Sequence, residues 1–353
     1  MKVQSAKHAN SLTRRSLLAS GAAATTFAII GRARAQNAPL VIGTSGGPAV
    51  EASKVVWGAP FTEKTGIPVE VINAPDLTKL QAQVQAGRLE CDVMELGGAV
   101  AMAGARAGLF EEIDKDIVDE STLVLPSESP YLVRFATYTG CIAWNEERHP
   151  DGKHPRNFAE YFDAKTFPGT RTLRTRISET LEMALVGSGV APENLYPLDV
   201  ERGFAALAEI RPHIRKWVSE TPQMAGLLQS GEVDFTYAYN SRIGAARQAG
   251  HPLAMSLDQC IIGSSYLAVG KGSKNKEAAM KLIAHAIAPD TQAAFTKYIW
   301  ATPNAKGALE KVPADIRAMM PDPTNKAHVV VSDAYWADNF ATLSARFSEW
   351  LLQ

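Results

Sequence analysis

Side chains capable of binding a ligand follow a short apolar run in the second half of the chain. The run reads S-G-E-V-D-F-T-Y-A-Y-N-S-R, and Tyr237 and Tyr239 are two residues apart. In a β-strand both rings project from one face. Asn240 and Arg242 then precede an Ala-rich helix, at the sheet edge where open α/β sheets bind ligands. The pattern indicates a ligand site, although an ordinary strand-to-helix joint with exposed polar side chains would look the same.

A second candidate ligand contact follows the first predicted strand, residues 39–43. The turn Thr44-Ser45-Gly46-Gly47 comes directly before a predicted helix. Such a turn can present backbone N–H groups and two hydroxyls at a helix N-terminus, which suits a carboxylate or a phosphate. A simple tight turn is an equally common explanation.

The sequence lacks the motifs of the common enzyme and metal sites. It contains no H-E-x-x-H, C-x-x-C, G-x-S-x-G or Walker sequence. The three cysteines, Cys91, Cys141 and Cys260, match no metal-binding spacing, and three thiols allow at most one disulfide. We therefore predict no catalytic residue, no metal site and no cofactor.

The first 35 residues predict an export signal. Arg14 and Arg15 precede a mildly apolar run, and the sequence A-R-A at positions 33–35 is a small-residue cleavage site. Twin arginines before a weak apolar region indicate the twin-arginine (Tat) route, with a Sec signal that carries two arginines as the alternative. We expect residues 1–35 to be removed and the mature protein to be periplasmic.

The mature sequence is acidic. Residues 1–35 carry six of the 36 Lys and Arg residues and none of the 37 Asp and Glu residues, which leaves a net charge of about −7. Nucleic acids and anionic membranes need a basic face on their partner, so we expect neither as a partner. The mature length suits two lobes better than one.

From the start of the mature chain, the spacing of apolar residues predicts alternating strands and helices. These elements must position the candidate ligand-binding residues. This alternation is typical of a doubly wound, mostly parallel sheet. Two longer β-rich runs, Tyr131 to Asn145 and Leu257 to Val269, are long enough to leave one lobe and enter another. Between these two runs, a strand is predicted from Leu173 to Ile177. Ser178 is expected to cap the next helix, with Glu182 reinforcing it.

The last predicted helix covers residues 333–352. Trp336, Phe340, Phe347 and Trp350 recur along it at helical spacing. Such a stripe is typical of core packing rather than of a cofactor site.

Several stretches, in this order and spacing, resemble the extracellular solute-binding proteins of ABC importers, and specifically the spermidine/putrescine-binding branch. The resemblance covers nearly the whole mature chain. The stretches are F-T-E-K-T-G-I-P-V (61–69), E-T-L-E-M-A-L (179–185), L-L-Q-S-G-E-V-D (227–234), Y-N-S-R (239–242) in place of the family's W-N-G, K-N-K-E-A-A-M-K-L-I (274–283) and A-T-P-N (301–304).

The resemblance implies a type II periplasmic-binding-protein fold, in which two α/β lobes with doubly wound sheets are joined by two hinge strands. We expect lobe 1 to comprise residues 36–140 and 264–303, and lobe 2 residues 141–263 and 304–353. The resemblance further implies a monomer that binds a small solute in the cleft between the lobes and delivers it to a membrane permease.

Position by position, the polyamine pocket of that branch is altered here. Arg176 stands where the family has an Asp before the E-T-L-E-M-A-L helix, and Ser265 stands where it has an Asp after the second crossing. Glu179 and the aromatic Tyr239 are retained. The resemblance therefore implies a small zwitterion, such as an ω-amino acid, ahead of a polyamine.

Two arginines could bind the carboxylate of such a solute in bidentate fashion, namely Arg176 or Arg242. Glu179 with Tyr239 could hold its ammonium group. Arg176 could instead form a salt bridge with Glu179 across one helical turn. The full set of predicted ligand-binding residues is Thr44, Ser45, Gly46, Gly97, Arg176, Glu179, Tyr239, Asn240, Arg242, Ser264 and Ser265.

Three alternatives remain at this point. Tyr237 and Tyr239 could supply phenolates to a ferric ion, as related iron-binding proteins do. A Tat-exported enzyme is a second possibility, which the missing motifs oppose. Cys141 and Cys260, one in each predicted hinge strand, could form a disulfide that tethers the hinge or remain as two buried free thiols.

Overall fold

Strands and helices alternate along the first third of the described chain, as the apolar pattern predicts. The computed structural model describes residues 39–44, 46, 48–150, 152–322 and 325–353, so the predicted signal peptide lies outside it. The first elements are β1 (Leu40–Thr44), α1 (Pro48–Ala52), α2 (Ala59–Thr65), β2 (Val69–Asn73), α3 (Leu77–Ala86), β3 (Val93–Gly97) and α4 (Gly98–Arg106). A π-helical turn, Ser53–Gly58, joins α1 to α2. Gly66, at φ 73°, ends α2 in the left-handed conformation that glycine adopts most easily.

The middle of the chain contains one long strand and a second set of alternating elements. They are β4 (Val133–Asn145), α5 (Phe158–Phe162), β5 (Arg171–Arg174), α6 (Ile177–Gly187), α7 (Val200–Ile210), β6 (Ile214–Val218), α8 (Thr221–Gln229), β7 (Phe235–Tyr239) and α9 (Asn240–Gln248). The predicted strand from Leu173 to Ile177 is wrong in its bounds. Ile177 instead begins α6, where its side chain is fully buried in the core.

The last part of the chain returns to the middle of the sheet and ends in a long helix. Its elements are β8 (Leu253–Met255), β9 (Ile261–Val269), α10 (Lys276–Ala286), α11 (Pro289–Ile299), β10 (Thr302–Pro303), α12 (Ala314–Arg317), β11 (Val329–Val330) and α13 (Asp333–Leu351). None of the described helices has the length and apolar character needed to span a membrane.

The sheet consists of two parallel sets of strands joined through β4 and β9. The strand order is β2-β1-β3-β9-β4-β7-β5-β6, with β8 and β10 added to β4 and β11 added to β9. Strand β1 pairs in parallel with β2 and β3, and β5 pairs in parallel with β6 and β7. Strands β4 and β9 are antiparallel to each other and to their other neighbours β7 and β3. The two predicted hinge strands are thereby confirmed as the link between the two halves.

Each half of the sheet has its own apolar core. On the β1 side, Trp57 stacks on Phe295 with ring centroids 4.3 Å apart and meets the edge of Phe135. On the β7 side, the core comes from β4, β7 and helices α5, α6, α7 and α13. The predicted stripe of α13 contributes Trp336 and Phe347, both fully buried, whereas Phe340 is 37% exposed.

The three cysteines are free thiols in the interior. Because Gly140 pairs with Ile261, Cys141 and Cys260 occupy facing positions at the end of the β4–β9 ladder, and no disulfide joins them. Burial raises the pKa of Cys91 and of Cys260 to about 12. A buried thiol with such a pKa is a poor nucleophile, because the thiolate is the reactive form.

We expect a thiol reagent such as dithionitrobenzoate to leave the native protein unmodified and to label three thiols per chain after unreduced protein is dissolved in guanidinium. Burial blocks the reagent until the chain unfolds. The measurement is the absorbance of released thionitrobenzoate. A single labelled thiol in the denatured, unreduced protein would instead reveal a disulfide, and peptide mapping would show whether it joins Cys141 to Cys260.

Candidate functional site

The carboxylate of Glu179 is the centre of a buried polar cluster. Glu179 is fully buried, and the hydroxyls of three tyrosines donate hydrogen bonds to it. Tyr237 donates to Oε2 over 2.8 Å, Tyr239 donates to Oε2 over 2.9 Å, and Tyr138 donates to Oε1 over 3.2 Å. These donors compensate the loss of water around a buried charge.

Strand register places the three tyrosines on one face. In β7, Tyr237 and Tyr239 are two residues apart and both reach Glu179, which confirms that they share a face. Across the β4–β7 ladder Tyr239 pairs with Gly140. Tyr138 lies two residues before Gly140, so it projects from the same face of the sheet.

Two glycines leave the space that two of these tyrosines occupy. A Cβ atom at Gly140 would overlap the hydroxyl of Tyr237, and a Cβ atom at Gly263 would overlap the ring of Tyr138. Neither glycine has a positive φ, so the requirement is close approach rather than backbone conformation. The sequence signal was available as isolated glycines within the two predicted hinge strands.

Two arginines flank the same carboxylate. Arg174 Nη1 lies 3.4 Å from Glu179 Oε2 and also donates to the hydroxyl of Tyr239. Arg176 Nη1 lies 4.0 Å from Glu179 Oε1, and its Nε donates to the Ser178 hydroxyl over 2.6 Å. The Arg174 side chain is buried, whereas that of Arg176 is 39% exposed. Burial, the largest effect, lowers the pKa of Arg176, but the attraction of Glu179 together with that of the three tyrosine oxygens more than offsets it, so the net shift is upward.

The backbone of Glu179 is held in an unusual conformation. Its φ is 74° and its ψ is −43°, and the preceding Ser178 is extended. A non-glycine residue with a positive φ is strained and is typical of functional sites. The predicted cap is partly wrong, because the Ser178 hydroxyl accepts from Arg176 and the carboxylate of Glu182 accepts the Glu179 N–H over 2.8 Å.

The environment of the tyrosines disfavours phenolates. Burial, followed by repulsion from the charge of Glu179, raises the pKa of Tyr237 and of Tyr239 far above the ordinary value of 10. Ferric binding through these oxygens would require their deprotonation beside a carboxylate. Among the described residues, no group of three or more His, Cys, Asp and Glu side chains is arranged to hold a metal ion.

Gly97 and Ser265 lie opposite each other on β3 and β9, next to the tyrosine cluster. A Cβ atom at Gly97 would meet open space, so this part of the sheet face is accessible. Ser265 pairs on its other side with Ala136 of β4, two residues from Tyr138. Alternation points Ser264 to the opposite face, where it is buried and bonded to Asp333.

Asp333, the first residue of α13, is a buried carboxyl group that sequence reasoning did not single out. The Tyr266 hydroxyl donates to its Oδ2 over 3.0 Å, and Arg134 in turn donates to the Tyr266 hydroxyl over 2.7 Å. Glu128 pairs with Arg134 on the outer side, 3.1 Å away. Burial raises the pKa of Asp333 to about 6, because the contacts with Ser264, Arg134 and Tyr266 only partly offset it.

The other predicted residues that the structure describes are exposed or make other contacts. Asn240 is buried, and its Nδ2 donates to the carbonyls of Trp300 and Met319. Arg242, in the first turn of α9, is exposed. Thr44 is buried at the end of β1, and its hydroxyl accepts the N–H of Gly46. The predicted contact Ser45 lies outside the described residues.

Comparison with known proteins identifies the class to which this fold and cleft belong. Residues 57–324 match the family model of the bacterial extracellular solute-binding proteins. The match spans more than half of the chain, so the chain belongs to this family. Two lobes joined by two central strands are the fold of its structural neighbours, and the chain is a solute-binding protein of an ABC importer.

Two sequence relatives and one solved structure show which members it resembles. It is 31% identical to the gamma-aminobutyric acid-binding protein of Pseudomonas aeruginosa, over 92% of this chain and 94% of that protein. It is 28% identical to the spermidine/putrescine-binding periplasmic protein of Salmonella typhimurium, over 69% of this chain and 72% of that protein. The structure of the Atu4243 GABA receptor superposes with a TM-score of 0.82 at 31% identity, covering 89% of this chain and 97% of that one.

We expect the Gly140→Ala variant to lower the free energy of unfolding by about 1–3 kcal/mol, because the added methyl group displaces the Tyr237 hydroxyl from Glu179. Urea unfolding measures the change. Gly226→Ala in α8 is the matched control. Its new methyl group meets no other atom within 4 Å, and alanine favours a helix over glycine by about 1 kcal/mol. Equal effects in the two variants would contradict the close packing at Gly140.

We expect the stability difference between Asp333→Asn and the wild type to depend on pH. The pKa of Asp333 is raised from 3.8 to about 6 in the folded protein, so its protonated form stabilises the fold at low pH. That contribution is lost as the pH rises from about 4 to above 6, which amounts to about 3 kcal/mol. Urea unfolding at pH 4 and pH 7 measures the free energy of unfolding of both proteins. We expect that of Asp333→Asn to rise relative to that of the wild type between pH 4 and pH 7. A difference that stays constant over this range would contradict the raised pKa.

Proposed function

We propose that the protein captures a small ω-amino acid of the 4-aminobutyrate (GABA) type in the cleft between its lobes and delivers it to an ABC permease. The observation that carries the proposal is the pair of arginines on one buried carboxylate. Arg174 and Arg176 bring two positive charges to the single negative charge of Glu179. Taken by themselves, these three side chains carry a net charge of +1, which complements a solute that brings a carboxylate.

Arg176 is the arginine suited to bind that carboxylate. Arg174 is buried and already engaged by Glu179 and Tyr239. Arg176 is 39% exposed, and the contact of its Nη1 with Glu179 is a long one of 4.0 Å. Its Nε is fixed by Ser178, which orients the two terminal nitrogens for bidentate pairing.

The aromatic hydroxyls and ring faces near Glu179 suit the ammonium end. Tyr138 and Tyr239 are partly exposed, and their rings meet edge to face with centroids 5.5 Å apart. An ammonium group is attracted to such rings and to the carboxylate they surround. A polyamine would bring two or more positive charges to a cluster that is already positive, so we place it second. The pKa of the tyrosines opposes ferric binding.

The relatives support the same assignment. Both GABA-binding proteins resemble this chain over about nine tenths of its length, at 31% identity. The polyamine-binding relative matches over 69% of the chain. The relatives are solute-binding proteins rather than enzymes, which supports a transport role without catalysis or cofactor.

Further parts of the proposal concern export and organisation. Residues 1–35 act as a twin-arginine signal peptide, and the mature monomer works in the periplasm, as its spermidine/putrescine-binding relatives do. The lobes divide at residues 140 and 264, within the two hinge strands, and again at residue 303. Thr44, Gly46, Gly97 and Ser265 contribute to the cleft from lobe 1, and the predicted contact Ser45 belongs to the same turn, whereas Ser264 is bonded to Asp333 on the opposite face of β9. Glu179, Tyr239 and Arg242 contribute with Arg176 from the other lobe, whereas Asn240 is bonded to Trp300 and Met319.

Isothermal titration of the mature protein with GABA and with putrescine tests the proposal. We expect GABA to bind and putrescine to bind at least tenfold more weakly. Arg176→Ala should weaken GABA binding by roughly tenfold to a hundredfold, because removing one partner of a charged pair costs about 1.5–3 kcal/mol.

Arg247→Ala is the matched control, since Arg247 is an exposed arginine of α9 that pairs with Glu146. It should bind GABA as the wild type does. Tight putrescine binding without GABA binding would overturn the proposed solute. Loss of GABA binding in Arg242→Ala but not in Arg176→Ala would move the carboxylate site to Arg242.

A further inference from the structure

We infer that Glu182 is a positioning residue for the ligand site, which holds the backbone of Glu179 in the conformation that points its carboxylate at the three tyrosines. The expected effect of Glu182 on solute binding rests on the proposed function. The structural role of Glu182 concerns one hydrogen bond, from the Glu179 N–H to Glu182 Oε2 over 2.8 Å. Glu182 itself is fully buried and lies on α6, one turn after Glu179.

The conformation of Glu179 requires such a support. A φ of 74° is unfavourable for a non-glycine residue and persists only where the surroundings determine it. The N–H of a residue at a helix start has no partner within the helix. A carboxylate acceptor satisfies this N–H with a charge-assisted bond and so favours the strained conformation over the alternatives.

Glu182 is in turn fixed by partners outside α6. The Tyr196 hydroxyl donates to Oε1 over 2.6 Å, and Trp336 Nε1 donates to the same oxygen over 2.5 Å. The N–H of Ser332 donates to the Tyr196 hydroxyl over 3.0 Å. The two carboxylate oxygens therefore have different partners, since Oε1 accepts from Tyr196 and from Trp336 of α13, whereas Oε2 accepts from Glu179.

The division of the oxygens predicts different outcomes for different changes. Glutamine at position 182 has one oxygen and one N–H₂ group, so it cannot accept at both positions. The N–H₂ group of the glutamine then faces either the Glu179 N–H or the donors of Tyr196 and Trp336. Two donors cannot form a hydrogen bond with each other. Tyr196→Phe removes a donor to Oε1 and the acceptor of the Ser332 N–H, and it leaves the bond from Glu179 to Oε2 in place.

The first measurement needs no ligand. The amide resonance of Glu179 in ¹⁵N–¹H spectra of the mature, deuterated protein reports the bond to a carboxylate by a downfield proton shift. We expect Glu182→Gln to move this resonance upfield and Tyr196→Phe to leave it in place. Glu182→Asp keeps the charge but withdraws the oxygens by one methylene, and it serves as the second variant if Glu182→Gln fails to fold.

The second measurement is GABA affinity by titration calorimetry, well below the melting temperature of each variant. We expect Glu182→Gln and Glu182→Asp to lose roughly tenfold to a hundredfold, as misplacement of a binding group by about 1 Å does. Tyr196→Phe should be less stable but bind within about twofold of the wild type. Unchanged affinity in the Glu182 variants, or equal losses in all three, would show that Glu182 only stabilises the fold. If the wild type binds no GABA but the Glu179 amide resonance still moves upfield in Glu182→Gln, the positioning role is supported and the proposed solute is wrong.

Discussion

The burial of one negative charge, on Glu179, constrains the whole centre of the molecule. An isolated carboxylate in the protein interior is unfavourable by several kcal/mol unless hydrogen bonds and opposite charges surround it. Here three tyrosine hydroxyls and two arginines supply that surrounding. Gly140 and Gly263 are needed in turn, because two of the tyrosines occupy the space that a side chain would fill. The pattern of small and large residues on the central strands follows from a single electrostatic requirement.

The strands that carry the cluster are also the strands that join the two halves of the sheet. Tyr138 lies on β4 and pairs with Gly263 of β9, and both strands run through the middle of the strand order. In two-lobed binding proteins, hinge closure is absorbed by a few residues in the connecting segments. Tyr138 contacts Glu179 from one of these connecting strands, so one member of the cluster lies on a segment that joins the two halves.

Helix α13 reinforces this arrangement from outside the sheet. Asp333 at its start contacts Tyr266 of β9, and Trp336 one turn later contacts Glu182 of α6. Phe340 lies beneath the guanidinium of Arg176, 5.6 Å from the ring centroid. One face of the C-terminal helix thus touches both halves of the sheet and the exposed arginine. Its aromatic stripe is packing, as the sequence indicates, but the packing is placed against the site.

The sequence by itself determined the elements and the class. Helix α3, for example, ends at Gly87 in the left-handed conformation, and such a glycine is a local signal like apolar spacing. The two hinge strands, the shared face of Tyr237 and Tyr239, and the family were also available, because period-two alternation and ordered motifs survive without the fold.

Only the tertiary structure decided which polar groups meet. Asp333 carries no motif, yet it contacts Tyr266 and Ser264, which are more than sixty residues earlier in the chain. Arg174 precedes Glu179 by only five residues, but their contact depends on the turn between β5 and α6. Asn240, next to Tyr239, turns away to hold Trp300 and Met319. The left-handed backbone of Glu179 was invisible because its support, Glu182, depends on donors more than ten residues away. Local pattern fixes strands and helices, whereas the partner of a buried charge is set by long-range packing that no local pattern records.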